Sequence, residues 1–143
     1  MILVDANLLV YAHDAAAPEH GVAKAWFEGV LEQPARVGIP WPSVLAFVRL
    51  VSNPTIVRSP ITPLAAWRYA AEWLALANVW IPQPGEQHAA LLGGLLADAR
   101  ITSRMVPDAH LAALAVEHGL TLCSTDGDFA RFPRLRWENP LAA

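Results

Sequence analysis

Met1-Ile2-Leu3-Val4-Asp5-Ala6-Asn7 opens the chain with four apolar residues and then a carboxylate. An unbroken apolar run of this length is what a strand covered on both faces requires, and such strands belong to parallel sheets flanked by helices. A similar order recurs far downstream, where Leu120-Thr121-Leu122-Cys123 leads into Ser124-Thr125-Asp126. Shorter strands fit residues 36–39, stopped by Pro40, residues 79–81, stopped by Pro82, and an edge strand at 135–137. Helical patterns fill the intervals over residues 7–13, 18–32, 44–51 with Ser43 as N-cap, 64–77, 86–100, and 107–118 with Gly119 as the stop. The sharpest start is Thr62-Pro63, a capping residue followed by proline at the first helical position. Gly93-Gly94, inside the 86–100 pattern, predicts close packing or a kink. Strands alternating with helices give an α/β fold, a three-layer α/β/α domain around a central, mostly parallel sheet. With 143 residues the chain makes one such domain, residues 1–143, around one sizeable core.

Hydrophobic residues make up 55% and charged residues 16% of the chain, against about 25% charged in an average soluble domain. Apolar surface in excess of what one core needs ends against another chain, and six tryptophans strengthen the expectation of a homodimer or larger assembly. Trp67, Trp73 and Leu76, after Pro63, are candidates for that interface or for the core. Cys123 is the only cysteine, which excludes an internal disulfide and fits a reducing cytosol. The N-terminus lacks the features of a signal peptide, and the longest apolar run, residues 89–97, falls short of the roughly 20 residues a membrane span needs. A cytoplasmic protein without membrane contact is expected. The net charge of −3 gives no overall attraction for nucleic acid, so any polyanion must be met locally. Five of the ten basic residues, Arg100, Arg104, Arg131, Arg134 and Arg136, cluster late in the chain and predict a local rim for phosphates.

Asp5, Asp108, Asp126 and Asp128 are four of the six aspartates, and each stands where a strand ends or a helix begins. In a parallel sheet the carboxyl ends of the strands share one edge, so acids from distant segments meet in one crevice. Carboxylates gathered closely repel one another and raise each other's pKa unless a cation neutralises them. Oxygen-only donors select hard ions, Mg²⁺ or Mn²⁺, before zinc. The set therefore points to metal-dependent chemistry on a phosphate ester. Each acid also has a local use: Asp5 as a helix N-cap, Asp108 as a complement to a helix dipole, Asp126-Gly127-Asp128 as a turn. Capping does not demand aspartate over serine, threonine or asparagine, so three acidic strand ends exceed what capping explains. Asn7 and Thr125 flank the acids and read as donors that orient them. Arg104 and Arg131 read as grips on a phosphate backbone.

Other chemistries fit worse. No Gly-x-Gly-x-x-Gly follows a strand, and no glycine loop ends in Lys-Ser or Lys-Thr. His13, His20, His88, His110 and His118 lack ligand spacing, and none is expected to bind metal. Ser43 and Ser124 have no histidine partner at motif spacing. A phospho-receiver domain needs a downstream lysine, and Lys24 is the only lysine.

Three ordered motifs, Ile2-Leu-Val-Asp-Ala-Asn-Leu-Leu-Val-Tyr-Ala, Pro107-Asp-Ala-His-Leu-Ala-Ala-Leu-Ala and Ser124-Thr-Asp-Gly-Asp-Phe-Ala-Arg-Phe, resemble those of PIN-domain ribonucleases, specifically VapC-type toxins of bacterial toxin-antitoxin modules. The resemblance covers almost the whole chain. It implies a dimeric, Mg²⁺- or Mn²⁺-dependent endoribonuclease acting on RNA and held inactive by a VapB-like antitoxin. Asp5 would be the first acidic ligand, Asp108 the acid opening the late helix, and Asp126 with Asp128 the strand-end pair. One position departs from the pattern: the family commonly carries a glutamate three residues before an arginine, and here Ala46 precedes Arg49. Ser43, one turn earlier, offers a hydroxyl in place of a charge. The expectation is one firmly held metal and a second only with substrate phosphate present. The rival reading is a non-catalytic PIN-like module that binds RNA or a protein and has lost one acidic ligand.

Overall fold

Strands β1 (Ile2–Val4), β2 (Val37–Gly38), β3 (Val79–Trp80), β4 (Thr121–Cys123) and β5 (Trp137–Glu138) form one sheet in the order β3-β2-β1-β4-β5 in a computed structural model that describes residues 1–142. Every pairing is parallel, with Leu3 opposite both Gly38 and Leu122, and Val4 opposite Cys123. The connections are helices α1 (Ala6–His13), α2 (His20–Glu32), α3 (Trp41–Val51), α4 (Pro63–Leu74), α5 (His88–Leu96) and α6 (Val106–His118), so each strand returns to the same edge. β1 runs through the middle because it is buried on both sides. Its Val4 joins Val37, Ile39, Val79 and Cys123 against Leu8, Leu9, Phe27, Val44 and Phe47 from α1 to α3. Its Leu3 joins Leu122 against Met105, Ala109, Ala112 and Leu114, with Leu92 and Leu95 of α5 packed behind. Adjacent strand residues point to opposite faces, so two neighbouring side chains feed two separate cores and produce the three layers.

The expected three-layer α/β/α domain is present, and its sheet is wholly parallel. Thr62 caps α4 as its sequence predicts, its Oγ1 accepting from the Ala65 N–H at 3.1 Å. Gly119 closes α6 with φ 68°, and the Leu120 N–H then reaches the Ala115 carbonyl at 2.8 Å. Three expectations need correction. Helix α3 begins at Trp41, with Pro40 at the cap position and Pro42 inside the first turn, so Ser43 is not an N-cap. Proline costs nothing there because the first helical N–H groups lack partners anyway. Helix α5 stops at Leu96, short of residue 100, where Asp98 folds back to accept from the Arg100 N–H at 2.9 Å. Gly93 and Gly94 lie within α5 with open space beside them, so they mark neither close packing nor a break.

The aromatic residues divide. Trp73 is a core residue, edge-on to Phe27 at 5.1 Å and to Phe47 at 4.8 Å. Trp67 stacks instead on Trp41 of α3 at 6.3 Å, and both stand 38% exposed beside exposed Leu45 and Leu64. Among the described residues no helix is long and apolar enough to cross a membrane.

Gly119 sets the chain direction between α6 and β4, and a Cβ there would meet nothing within 4 Å. The cost of Gly119→Ala is thus conformational only, and about 1 kcal/mol lost in urea unfolding is expected. An unchanged midpoint would show that the turn relaxes without a left-handed residue.

Candidate active site

The sheet order reverses at β1: the chain leaves it toward β2 on one side and returns as β4 on the other. The crevice beyond the carboxyl ends of such strands is where α/β proteins place ligands. Asp5 and Ser124 are the first residues past those two strands. The Asp5 N–H extends the ladder to the Cys123 carbonyl at 3.0 Å. Its side chain caps α1, Oδ1 accepting from the Ala6 N–H at 2.8 Å. Oδ2 accepts from the Ser124 hydroxyl at 2.8 Å.

Ser124 is fully buried, and its hydroxyl also accepts from Asn7 Nδ2 at 3.0 Å and from the Asp126 N–H at 3.0 Å. A hydroxyl has one proton and two lone pairs, so this one is saturated. Asp126 in turn caps the 3-10 turn Gly127–Arg131, its Oδ1 accepting from the Asp128 N–H at 2.9 Å. Asp108 projects from the first turn of α6, and one carboxylate oxygen from each of Asp108, Asp126 and Asp128 lies within 4.8 Å of the other two. An octahedral Mg²⁺ holds oxygens at about 2.1 Å, placing them roughly 3 to 4.2 Å apart, so small side-chain rotations bring these three into range. The donor set is all oxygen and anionic, which suits a hard divalent ion.

The crowding is visible in the acids' proton affinities. Asp108 is pushed up to about 6, first by burial, then by the charges of Asp126, Asp5 and Asp128, with Arg104 opposing. Asp5 is also raised, first by burial and further by Asp126, while the bonds from Ser124 and Ala6 pull it back. Asp128 has a partner of its own, the Arg104 guanidinium at 3.1 Å.

Of the residues singled out from sequence, Asp108, Asp126 and Asp128 converge, and Asp5 stands beside them, joined through Ser124. Asn7 donates to the Ser124 hydroxyl rather than to an acid, and its Oδ1 is buried with no partner. Two assignments change. Among the described residues the Thr125 side chain makes no hydrogen bond, and the orienting bonds belong to Ser124. Successive extended residues point to opposite sides, so only one of the two can face Asp5. The signal for Ser124 was its spacing: a serine two residues before an N–H it can accept from forms a tight turn. Ser43 does not offer a hydroxyl to the site, because it is buried and donates to the Val4 carbonyl at 2.7 Å, anchoring the end of β1 from below Asp5.

The predicted rim of five arginines shrinks. Arg104 reaches the acids at Asp128, while the Arg131 guanidinium goes to Met105 Sδ at 3.9 Å. Arg100 is tied to Asp98 at 2.7 Å, and Arg136 donates to the Gly119 carbonyl at the far end of α6 from Asp108. His88 and His110 face each other at 3.1 Å between α5 and α6. A cavity of about 470 Å³ is lined by Gln87, Leu91, Leu95, Val116 and Arg134 rather than by the acids. An open crevice rather than a deep pocket suits an extended backbone.

A model of the PIN domain matches residues 2–135. The chain is 39% identical over 142 residues to Ribonuclease VapC37 of Mycobacterium tuberculosis (strain ATCC 25618 / H37Rv), covering 99% of each chain. It is a PIN-domain protein of the VapC family. The VapC20 crystal structure from Mycobacterium tuberculosis, a toxin that cleaves the sarcin-ricin loop, shares the fold with a TM-score of 0.67 at 22% identity, covering 95% of this chain and 99% of that one. A toxin-antitoxin complex from Klebsiella pneumoniae gives 0.61 at 21% identity, covering 98% of each.

Two measurements test the electrostatics of this PIN-domain site. A raised folded-state pKa means the native chain holds the Asp108 proton more tightly than the unfolded chain does. That contribution to stability is complete below 3.8 and gone above about 6. In EDTA the melting temperature of the wild type should therefore fall more steeply between about pH 4 and pH 7 than that of Asp108→Asn; parallel profiles would remove Asp108 as the cause. Ser124→Ala strands three half-buried groups, so a loss of about 1–3 kcal/mol is expected in urea unfolding, against little for Thr125→Ala. Equal losses would undo the assignment to Ser124.

Proposed function

We propose that this PIN-domain protein is a metal-dependent endoribonuclease that hydrolyses RNA phosphodiester bonds, the toxin of a toxin-antitoxin pair working in the cytoplasm. The observation that carries this reading is the convergence of Asp108, Asp126 and Asp128 oxygens within 4.8 Å at the switch point of a parallel sheet, in a chain whose relatives are VapC ribonucleases. The cation is Mg²⁺ or Mn²⁺, the ions an all-carboxylate set prefers.

Asp108, Asp126 and Asp128 supply the binding oxygens, and Asp5 closes the site from the β1 side. When bound, a divalent ion acidifies a water for in-line attack on phosphorus and offsets charge on the departing oxygen. The chain's own residues arrange the rest. Ser124 and Asn7 fix the Asp5 carboxylate, so its orientation is set before any ligand arrives. Arg104, beside Asp128, and Arg131, at the end of the turn that carries Asp128, are the grips for phosphate, since guanidinium groups take phosphate oxygens in pairs. With an overall charge of −3, that local pair is what draws a polyanion toward four acids.

A VapB-like antitoxin and a second copy of the chain are the protein partners. Trp41, Leu45, Leu64 and Trp67 form an exposed apolar face across α3 and α4, of the kind that protein interfaces bury. The homodimer is assigned to that face.

The test is cleavage of total cellular RNA by purified chain freed of partners, with Mg²⁺, Mn²⁺ or EDTA. Discrete products that vanish with EDTA are expected. Partners that merely orient a metal ligand are worth about 10–100-fold, so Asp108→Asn, which alters a ligand, should lose more than about 100-fold, and Asp5→Asn, which removes the charge that closes the site, at least about 10-fold. Intact folded protein that binds Mn²⁺ yet yields no products would instead favour the binding-only module, with Ala46 as the missing charge.

A further inference from the structure

We propose that Arg104 is a built-in counter-ion of the acidic site, competing with divalent cations for Asp128 and holding the resting site to a single ion. The inference rests on the reading that the acids bind a metal, and it adds how many ions they take and what limits them.

Arg104 sits in the 3-10 turn Ser103–Met105, directly before α6. Met105 is fully buried and pins that turn against Leu3, Leu122 and Phe129 in the core. The Arg104 side chain is 75% exposed and contributes nothing comparable to packing. Its guanidinium is nevertheless not loose, because it bonds Asp128 Oδ2 at 3.1 Å. Among the described residues it is the one cationic side chain paired with an acid of the site; Arg100 is spent on Asp98, and Arg131 reaches a methionine sulfur.

A survey of oxygens gives the consequence. Both oxygens of Asp5 accept from the protein, from Ala6 and Ser124. Asp126 Oδ1 accepts from the Asp128 N–H, and Asp128 Oδ2 is ion-paired with the Arg104 guanidinium. The oxygens without a protein donor are those of Asp108, Asp126 Oδ2 and Asp128 Oδ1, and one from each acid suffices for a single octahedral ion completed by water. A second ion drawing on Asp128 Oδ2 would stand next to the guanidinium. Two cations on one carboxylate oxygen repel each other, so Arg104 competes with a metal for Asp128. Being exposed, Arg104 can also leave Asp128 when a phosphate arrives, handing its charge to the substrate.

This role fixes the sign of a substitution. Losing a substrate grip raises KM and leaves metal binding alone; losing a structural contact weakens everything. Removing a competing cation strengthens metal binding. Exposed ion pairs are weak, so a gain of roughly two- to fivefold is expected at low salt.

Mn²⁺ binding to the full chain, freed of metal and partners, is measured by electron paramagnetic resonance and calorimetry for wild type, Arg104→Gln, Arg104→Lys and Asp108→Asn. The expected result is one Mn²⁺ per wild-type chain. Arg104→Gln binds it roughly two- to fivefold more tightly, or takes up a second, with an unchanged melting temperature; Arg104→Lys stays near wild type because the charge is kept. Two Mn²⁺ per wild-type chain, or equal or weaker binding by Arg104→Gln, would overturn the proposal while leaving the metal site standing. Undiminished binding by Asp108→Asn would bring down the metal reading itself.

Discussion

The proton of the Ser124 hydroxyl points from the end of β4 to the carboxylate at the end of β1, and the site is arranged around that bond. It has to be donated to Asp5, because the two lone pairs behind it are taken by Asn7 and by the Asp126 backbone. A neutral buried hydroxyl thereby sets the position of one acid, the start of the turn carrying two more, and the first turn of α1. This works only if Val4 and Cys123 are in register, since a slip of one residue would turn every side chain of the strand to the other face. Register is enforced from both sides: Leu3 and Val4 are wholly buried in different cores, and neither core accepts the other's residue. Apolar packing in the centre thus determines polar geometry at the edge.

The same dependence explains what the sequence disclosed. Buried strands, helix starts and acidic strand ends are written in local patterns, so β1, β4, the Thr62 cap, the Gly119 stop and the four acids were legible. What escaped were choices made by tertiary contacts. Ser43 reads as an N-cap until Pro40 takes the cap position and the Val4 carbonyl claims the hydroxyl. Thr125 reads as the orienting residue on paper, and only the direction of the chain leaving β4 gives that role to Ser124. The arginines cluster in sequence, yet Gly119 turns the chain so that Arg136 ends at the opposite end of α6 from the acids. Proximity in sequence carried over to proximity in space for Arg104 and Arg131 alone, which lie next to elements that themselves bear acids.

Electrostatics pulls against this scaffold. Asp108 and Asp5 both hold their protons more tightly than a free aspartate, with burial the larger cause and neighbouring acids adding to it. A site like this is destabilised by its own charge at neutral pH, and anything cationic that enters it stabilises the fold as well. Metal, arginine and proton are therefore interchangeable in kind, differing in charge density and reach. A divalent ion has the greatest charge density and needs several oxygens at once; a guanidinium serves one carboxylate from the surface; a proton neutralises one oxygen and leaves the rest repelling.

The costs are concentrated where the function is assigned. Asn7 Oδ1 is buried without a partner, beside a carboxylate taken largely out of water. Trp80 Nε1 and His88 Nδ1 are also buried without partners, but at the site both strains are held in place by well-packed residues: Leu3, Val4, Leu122 and Ser124 are all buried at the junction of β1 and β4. Neither strain improves the stability of the metal-free chain. Two such departures side by side in one crevice, between strands that are consistent from pattern to packing, are what a site selected for binding rather than for stability leaves behind. The acids were recognisable in the sequence for the same reason, because nothing in the folding of β1 or α6 required aspartate there.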